Sequence, residues 1–319
     1  MKILKLVFKN LKRHKLRLSL TIIGIAIAVM AFSLLRTVVD AWYAGVDASA
    51  SNRVVSVHAV SFIFPLPMKY RNEIANVPGV ETVTYFNWFG GVYIDKKEFF
   101  AKFAADPETF FQVYPECIVS DKSQIEKFKR QRNACILGKK LIDKYQLKIG
   151  DIMHVTGDIY PGDWDFEIVG IYKGRDKKVD ETWMLFNWNY LNERMRQESP
   201  SRAEKVGWYT FTVKDVNSIA RISKQVDDLF LNSDARTKTE TEAAFNQSFV
   251  SMSGAILAGL EFVSYVIIGI LLLVLGNTMV MSARERTREY AVLKTLGFTQ
   301  SHLITLIMGE SLMISILGG

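Results

Sequence analysis

The chain has 319 residues and a formal net charge of +7, from 40 lysines and arginines against 33 aspartates and glutamates. This length allows roughly two soluble domains, but the mean hydropathy of +0.10 averages very apolar segments with a polar middle. Two cysteines and four histidines without a CxxC or Cys/His cluster argue against a structural zinc site, and no other metal site or cofactor is expected in this chain.

The basic excess is concentrated at the N-terminus, where residues 1–17 contain no acidic side chain. The basic residues there are Lys2, Lys5, Lys9, Lys12, Arg13, Lys15 and Arg17. A basic N-terminus could bind nucleic acid, but this one leads directly into an apolar segment. That position favours a membrane protein whose basic flank stays in the cytoplasm, with no nucleic-acid partner.

The first apolar segment, residues 18–35, is uncharged. At 1.5 Å per residue it extends roughly 27 Å, close to the thickness of a hydrocarbon core. A secretory signal peptide is the alternative, because Ala48-Ser49-Ala50 has the small residues of a cleavage site. That site lies well beyond the apolar run, so we predict a span that leaves the cytoplasm near Arg36, with Trp42 and Tyr43 at the interface.

A mixed α+β domain is predicted between the first two spans, outside the cytoplasm. Strands are predicted over Arg53–Ala59, Glu81–Phe86, Ile152–Thr156, Phe166–Tyr172 and Trp208–Val213. Helices are predicted over Pro67–Asn76, from Asp106, and over Ser123–Arg132, Ile136–Tyr145 and Val216–Leu231.

Three features of this domain leave alternatives open. The tryptophans and phenylalanines could form a binding surface, but a core is favoured. The apolar run Ser61–Pro67 could be exposed at a tip, although a strand end packed inward is favoured. Cys117 and Cys135 could form one disulfide outside the cytoplasm, but two separate buried thiols are favoured.

A long helix is predicted from about Thr241 through Met281, whose last part, Phe262–Met281, is the second uncharged span. Phe245, Phe249, Met252, Ile256 and Leu260 recur at spacings of three and four, which places them on one packing stripe. The prediction is a rigid stalk continuous with the span. An ordinary core helix followed by a break is the alternative, although no proline lies between residues 201 and 319.

A short amphipathic helix is predicted after the second span, in the cytoplasm. Ser282–Glu285 fits a capping box, and Ala283–Leu296 reads as a helix closed by Gly297. The helix could rest on lipid headgroups, but its acidic residues favour docking to a cytoplasmic partner. The predicted docking residues are Arg284, Glu285, Arg286, Thr287, Arg288, Glu289, Tyr290, Leu293 and Lys294.

A third span is expected from Leu303 onward. It is interrupted by Glu310, a charge that is costly in an apolar segment and is therefore expected to face a protein partner or water. The expected organisation is 1–43 for the N-terminus and first span, 44–240 for the outer domain and 241–319 for the stalk, second span, coupling helix and start of the third span.

The segment Arg284–Gly297 closely resembles the cytoplasmic segment of MacB-like and FtsX-like ABC permeases. The outer domain is similar to the periplasmic core of that family at Val77–Glu81 and from Ile136 to Asp151. Gly309–Ser311 followed by Gly318-Gly319 looks like the family's third span. The resemblance implies a membrane α-helical protein of four spans, three visible here with the third truncated, and a large α+β domain inserted between spans 1 and 2.

The resemblance also implies partners. Two permeases pair, as a homodimer or heterodimer, and each binds a cytoplasmic ABC ATPase through the segment after the second span. With no ATPase domain before residue 1, the ATPase is expected to be a separate chain that holds the ATP. A periplasmic adaptor or outer-membrane partner and membrane lipid are further expected partners. Efflux, lipoprotein release and control of cell-wall hydrolases are the family's kinds of work, from the inner membrane.

Catalysis by this chain is not expected. No GxxxxGK[ST] loop occurs to bind nucleotide phosphates, and no GxSxG or HExxH motif occurs. A membrane-anchored ligand sensor and a membrane-anchored enzyme remain as alternatives. The sensor would need a signalling module inside the cell, and the enzyme lacks a recognisable catalytic constellation.

Overall fold

A computed structural model describes residues 15–47, 49–252, 254–285, 287–302, 304–305 and 308–309, without the side chains at 15–18, 41–47, 249, 252, 282–283 and 289. The chain divides into two compact units. A membrane unit contains Met1–Tyr43 and Val250–Gly319, and an outer unit contains Ala44–Phe249. The basic residues before Lys15, the side chains of Trp42 and Tyr43, and most of the predicted third span with Glu310 lie outside the described residues.

Among the described residues, two helices of the membrane unit are long and apolar enough, by length and composition, to cross a bilayer: Ser19–Asp40 and Gly254–Met281. They belong to helices α1 (Lys15–Asp47) and α9 (Gly254–Glu285). Most of their described side chains are exposed, including Leu272 at 63% and Leu273 at 74%. Helices that are apolar on every side and poorly covered by protein are typical of segments surrounded by lipid.

The outer unit is built on one mixed sheet. Its strands, with two small additional ones, are β1 (Arg53–His58), β2 (Leu66–Pro67), β3 (Val80–Trp88), β4 (Lys102–Ala105), β5 (Cys117–Val119), β6 (Ala134–Gly138), β7 (Ile152–Gly157), β8 (Gly162–Gly174), β9 (Met184–Asn187), β10 (Lys205–Val206), β11 (Trp208–Val213) and β12 (Thr237–Thr241). The strand order of the sheet among the described residues is β12-β1-β11-β3-β4-β9-β6-β8-β5, and β7 pairs with β8. Pairing is antiparallel except for β4 with β9 and β6 with β8. The small strands β2 and β10 pair with each other.

Short helices connect the strands and cover the sheet. They are α2 (Tyr70–Ala75), α3 (Phe110–Val113), α4 (Lys122–Arg130), α5 (Lys139–Tyr145), α6 (Trp188–Glu198) and α7 (Ile219–Leu229). Helix α8 (Glu242–Met252) follows β12, and α10 (Thr287–Thr295) follows α9. Short 3₁₀ turns at Pro200–Arg202 and Val216–Ser218 precede β10 and α7. The predicted α+β domain is thereby confirmed.

Two hydrophobic clusters form the core of the outer unit. The larger one contains Trp164, Phe166 and Phe186, all fully buried, together with the inward faces of α2, α6 and α7. The smaller one contains Phe110 of α3 and Phe128 of α4. Trp88 is 37% exposed, so the aromatic side chains supply the core and also part of the surface.

The predicted helix Ile136–Tyr145 is wrong in its first part, because Ala134–Gly138 forms strand β6 between β8 and β9. All five residues of β6 are buried, so the strand shows a continuous apolar run. Such a run cannot be distinguished from a buried helix by periodicity alone. Helix α5 begins only at Lys139.

The run Ser61–Pro67 is partly exposed, contrary to the favoured prediction. Ile63 is 76% exposed and Phe64 is 51% exposed, whereas Leu66 is fully buried. The backbone N–H of Phe64 donates to the Ser61 carbonyl at 3.1 Å, so the loop is a defined turn. The predicted helix start at Pro67 is also wrong, since Pro67 pairs in β2 and α2 begins at Tyr70.

Candidate functional site

The segment after the second span begins differently from the prediction. Helix α9 continues without a break through Ser282 to Glu285, so no helix starts at Ser282 and the predicted capping box is wrong. The next helix, α10, runs from Thr287 to Thr295. The sequence pattern suggested a cap because Ser and Glu at this spacing also occur inside helices, where the backbone amides already have partners.

The end of α10 is as predicted. Gly297 has φ of +90°, in the left-handed region that favours glycine. The N–H of Phe298 donates to the Leu293 carbonyl at 3.0 Å, and the N–H of Gly297 donates to the Lys294 carbonyl at 3.2 Å. This pair of hydrogen bonds is a Schellman motif, which ends the helix at this position.

The docking residues predicted on this segment present a charged surface of both signs. Arg284, Glu285, Thr287, Arg288 and Lys294 are exposed, while Tyr290 and Leu293 are half-buried. Arg286 and the side chain of Glu289 lie outside the described residues. The hydroxyl of Thr287 donates to the Arg284 carbonyl at 2.8 Å, which ties the start of α10 to the end of α9.

The predicted stalk covers helices α8 and α9, with Ser253 between them outside the described residues. Phe245 and Leu260 are half-buried, Ile256 is 65% exposed, and the side chains of Phe249 and Met252 are not described. Among the described side chains of this part of the membrane unit, Val250, Leu257 and Ser264 are buried. Leu257 and Ser264 are seven residues apart in α9, so they share one helix face, which differs from the predicted stripe.

A buried carboxylate lies at the point where the chain leaves the outer sheet. Glu242 is the first residue of α8 and is 7% exposed. Its Oε2 accepts from the backbone N–H of Ala50 at 2.9 Å and from Nε of Arg53 at 2.7 Å. One carboxylate therefore binds the segment that follows α1, the first residue of β1 and the start of α8.

Arg53 extends this contact to a second carboxylate. Its side chain is buried, and Nη1 donates to Oε1 of Glu116 at 2.5 Å and to the carbonyl of Val113 at 3.1 Å. The guanidinium also lies 4.2 Å from the centre of the Tyr114 ring. We call Ala50, Arg53, Glu116 and Glu242 the carboxylate clamp.

The carboxylates of the carboxylate clamp keep the buried Arg53 side chain charged. Burial alone would lower the pKa of Arg53, but the carboxylates of Glu242 and Glu116 raise it above its ordinary value. Burial, followed by the charge of Glu242, raises the pKa of the Tyr114 phenol well above its usual range. Arg53 is therefore a permanent cation and Tyr114 a neutral ring above pH 7, which suits a fixed structural contact.

The sequence did not predict the carboxylate clamp. Arg53 and Glu242 are 189 residues apart, and neither belongs to a short motif. The available signal was indirect, since Arg53 opens an alternating apolar strand and Glu242 opens a helix directly after a polar strand. Two isolated charges at element ends do not reveal that β1 and β12 are neighbours.

Cys117 and Cys135 are free and buried, as favoured from the sequence. Burial raises the pKa of the Cys117 thiol to about 12. Both side chains therefore stay protonated and unreactive. Among the described residues no group of His, Cys, Asp or Glu side chains is arranged to hold a metal ion.

Comparison with protein-family models gives two matches. Residues 18–229 match the MacB-like periplasmic core domain, and residues 261–319 match the FtsX-like permease C-terminal domain. The chain belongs to the MacB-like and FtsX-like family of ABC transporter permeases. This permease therefore combines a periplasmic-type α+β domain with two flanking apolar helices, as the resemblance implied, and membership of the family implies an ATPase partner.

Curated relatives of the permease carry the same description. An ABC transporter permease of Methanocaldococcus jannaschii is 25% identical over 99% of this chain and 80% of its own length. A second permease of that organism is 24% identical over 56% of this chain and 47% of its own length. The ABC transporter permease YtrF of Bacillus subtilis is 26% identical over 54% of this chain. This chain spans 39% of YtrF.

Two solved structures resemble part of the permease. The periplasmic region of MacB from Actinobacillus actinomycetemcomitans covers 64% of this chain with 13% identity and a TM-score of 0.44, and 95% of that structure is matched. The extracellular domain of the transporter YknZ from Gram-positive bacteria covers 60% with 13% identity and a TM-score of 0.43, with 99% of that structure matched.

Proposed function

We propose that this permease transmits the movement of a separate cytoplasmic ATPase to its outer domain. The observation that carries the proposal is the charged segment after the second span. Arg284 and Glu285 at the end of α9 are exposed to solvent, as are Arg288 and Lys294 of α10. A surface of both signs suits docking to a protein with complementary charge. The acidic residue would weaken binding to anionic headgroups, which is the competing role for such a helix.

A hydrophilic channel through the bilayer is a poor alternative for this chain. Residues 18–35 and 262–281 contain no charged side chain, and Asn277 is the main polar group of the second span. Water-filled pathways and ion pathways in membranes are normally lined by polar and ionisable side chains. The work is therefore proposed to take place outside the cytoplasm, through movement of the sheet domain.

The permease is proposed to lie in the inner membrane, with its N-terminus in the cytoplasm. The basic segment before the first span supports this orientation. Two permeases are proposed to pair, with a periplasmic adaptor or outer-membrane protein as a further partner. Efflux or handling of lipoproteins and other envelope substrates is the proposed class of work, with regulation of cell-wall hydrolases or ligand sensing as the alternative.

Co-purification with the ATPase tests the docking role. Arg288→Glu should reduce recovery of the ATPase at least about tenfold, because like charges juxtaposed at an interface cost several kcal/mol. Lys122→Glu, an exposed charge reversal at the start of α4, is the matched control and should leave recovery unchanged. Equal recovery with Arg288→Glu and the unmodified permease would remove α10 from the interface.

Labelling tests the orientation independently. Cysteines introduced at Thr287 and Lys122 can be distinguished by a reagent that does not cross membranes, since Cys117 and Cys135 are buried. Lys122→Cys should react from outside intact cells, and Thr287→Cys only after permeabilisation. Labelling of both from one side would contradict the arrangement.

A further inference from the structure

The two connections of the outer unit to the rest of the chain meet at one buried carboxylate. The chain reaches the outer sheet through Ala50, whose N–H donates to Glu242, and leaves it through α8, which begins at Glu242. A second contact joins the same segments, because Nδ2 of Asn246 donates to Oγ of Ser49 at 3.0 Å. Both connections are thus tied to each other and, through Arg53, to strand β1.

We propose that the carboxylate clamp is the positioning device that makes the outer sheet and both of its chain connections one mechanical body. This inference rests on the proposed function, since a movement imposed along α8 is useful only if the sheet follows it. Without the clamp, the junction between β12 and α8, where Thr241 is followed directly by Glu242, would bend and absorb that movement. Glu242 and Arg53 are positioning residues in this role.

The contact is built to resist such bending. Arg53 uses separate nitrogens for Glu242 and Glu116, and a further hydrogen bond to Val113 satisfies the buried guanidinium. Removing one partner leaves an uncompensated buried charge, which is much less favourable than the intact group. The angle of α8 on the sheet is therefore fixed by a charged contact that is costly to separate.

The sheet distributes this contact over several strands. Val54 of β1 lies opposite Thr241 of β12 and Phe211 of β11, so β1 is paired on both sides immediately after Arg53. Glu116 precedes β5, which is the opposite edge of the sheet in strand order. The clamp thus engages the sheet at both ends of its strand order, and a displacement of Glu242 acts on the domain as a whole.

Spin-label distances in the full permease, reconstituted with its ATPase in lipid nanodiscs, test the inference. Labels at Ser248 on α8 and Lys122 on α4, both exposed, report the angle of α8 on the outer unit. The distance distribution should be narrow and should keep its width and position when ATP is added. Glu242→Gln should broaden it at least about twofold and make it dependent on ATP, since the released segment then opens locally.

Glu240→Gln is the matched control. It is the same substitution two residues earlier in β12, and its carboxylate pairs with Lys238, whose side chain is 54% exposed. This variant should give the unmodified distribution. Glu116→Gln removes one of the two carboxylates and should give an intermediate width. A distribution for Glu242→Gln as narrow as that of Glu240→Gln would overturn the inference.

A further variant covers the case in which Glu242→Gln does not fold. Arg53→Lys keeps the charge, but a single ammonium cannot serve Glu242, Glu116 and Val113 in the same geometry. It should broaden the distribution while the outer unit still unfolds cooperatively on heating. An unchanged width in a folded Arg53→Lys variant would likewise overturn the inference.

Failure of the clamp and failure of the proposed function give different results. A fluorophore at Lys122, read by quencher lipids, reports movement of the outer unit relative to the bilayer. If ATP leaves this signal unchanged in the unmodified permease, the proposed function fails. The widths of the spin-label distance distributions still show whether the clamp holds α8 on the sheet. If the signal changes in the unmodified permease and is lost in Glu242→Gln while ATP hydrolysis continues, the clamp is supported as the transmitting contact.

Discussion

The outer unit and the membrane helices use apolar side chains in opposite ways. In the outer unit, Trp164 and Phe166 are fully buried by the chain itself. In α9, Leu272 and Leu273 are mostly exposed although the helix is long and apolar enough to cross a bilayer. The first unit is stabilised by burial within the protein, whereas the second needs a lipid environment to cover the same kind of side chain.

The largest expected effect comes from breaking the core of the outer unit. Trp164 packs against Phe89 and Tyr190 at ring distances of 5.1 and 5.2 Å, and its Nε1 donates to the Tyr160 carbonyl. Trp164→Ala should lower the free energy of unfolding by about 3–5 kcal/mol. Urea unfolding of the full permease in detergent, followed by near-ultraviolet circular dichroism, measures this change.

Trp88→Ala is the control for that measurement, because Trp88 is 37% exposed. Trp88→Ala should lower the free energy of unfolding by clearly less than Trp164→Ala does. Equal losses would mean that burial within the outer unit does not set its stability.

The second prediction concerns the lipid side of the comparison. Leu273→Asp places a carboxylate in the middle of α9 and should reduce insertion of this helix by about 3 kcal/mol. Leu229→Asp, at an exposed leucine of α7 in the outer unit, should change stability by no more than about 0.5 kcal/mol. A glycosylation reporter measures insertion of the Leu273→Asp helix, and thermal unfolding measures the stability of Leu229→Asp. Normal insertion of Leu273→Asp would show that α9 is not surrounded by lipid.

The sequence predicted those elements whose side chains alternate or whose apolar run is long. The strands β1, β7 and β11 and both apolar helices fall in this group, because polar residues interrupt the apolar ones along each strand and the helices are apolar over their whole length. Strand β6 was missed because its sequence is continuously apolar, and β12 was missed because its residues are Thr, Lys and Glu. The carboxylate clamp could not be predicted, as it depends on β1 and β12 being neighbours.

A smaller effect is expected from Lys102, a buried cation in the outer unit. Its Nζ donates to the carbonyls of Gly91 and Phe100, and burial lowers its pKa from 10.5 to about 8. Between pH 8 and 10.5 the unfolded chain holds a proton that the folded chain has released. The free energy of unfolding therefore rises with pH over this range, since the unfolded state binds more protons.

Lys102→Met should remove that rise. Between pH 8 and 9.5 the unmodified permease should gain about 1–2 kcal/mol relative to Lys102→Met. Comparing the two proteins at each pH cancels the contribution of the buried tyrosines, which are the same in both. Lys97→Met, at an exposed lysine in the loop before β4, should leave the rise intact. Parallel pH profiles for Lys102→Met and the unmodified permease would contradict the assignment.

The smallest expected effect distinguishes exposure to water from exposure to lipid. Ile63 of the outer unit and Leu273 of α9 are exposed to similar extents, 76% and 74%. If Ile63 lies in water, Ile63→Ser removes apolar surface that the fold never buried and should change the free energy of unfolding by at most about 0.5 kcal/mol. The same measurement on Leu66→Ser, fully buried three residues later, should show a loss several times larger. A loss of well over about 0.5 kcal/mol in the free energy of unfolding with Ile63→Ser would mean that protein covers Ile63. Ile63 would then not be an example of a side chain exposed to water, and its comparison with Leu273 would fail.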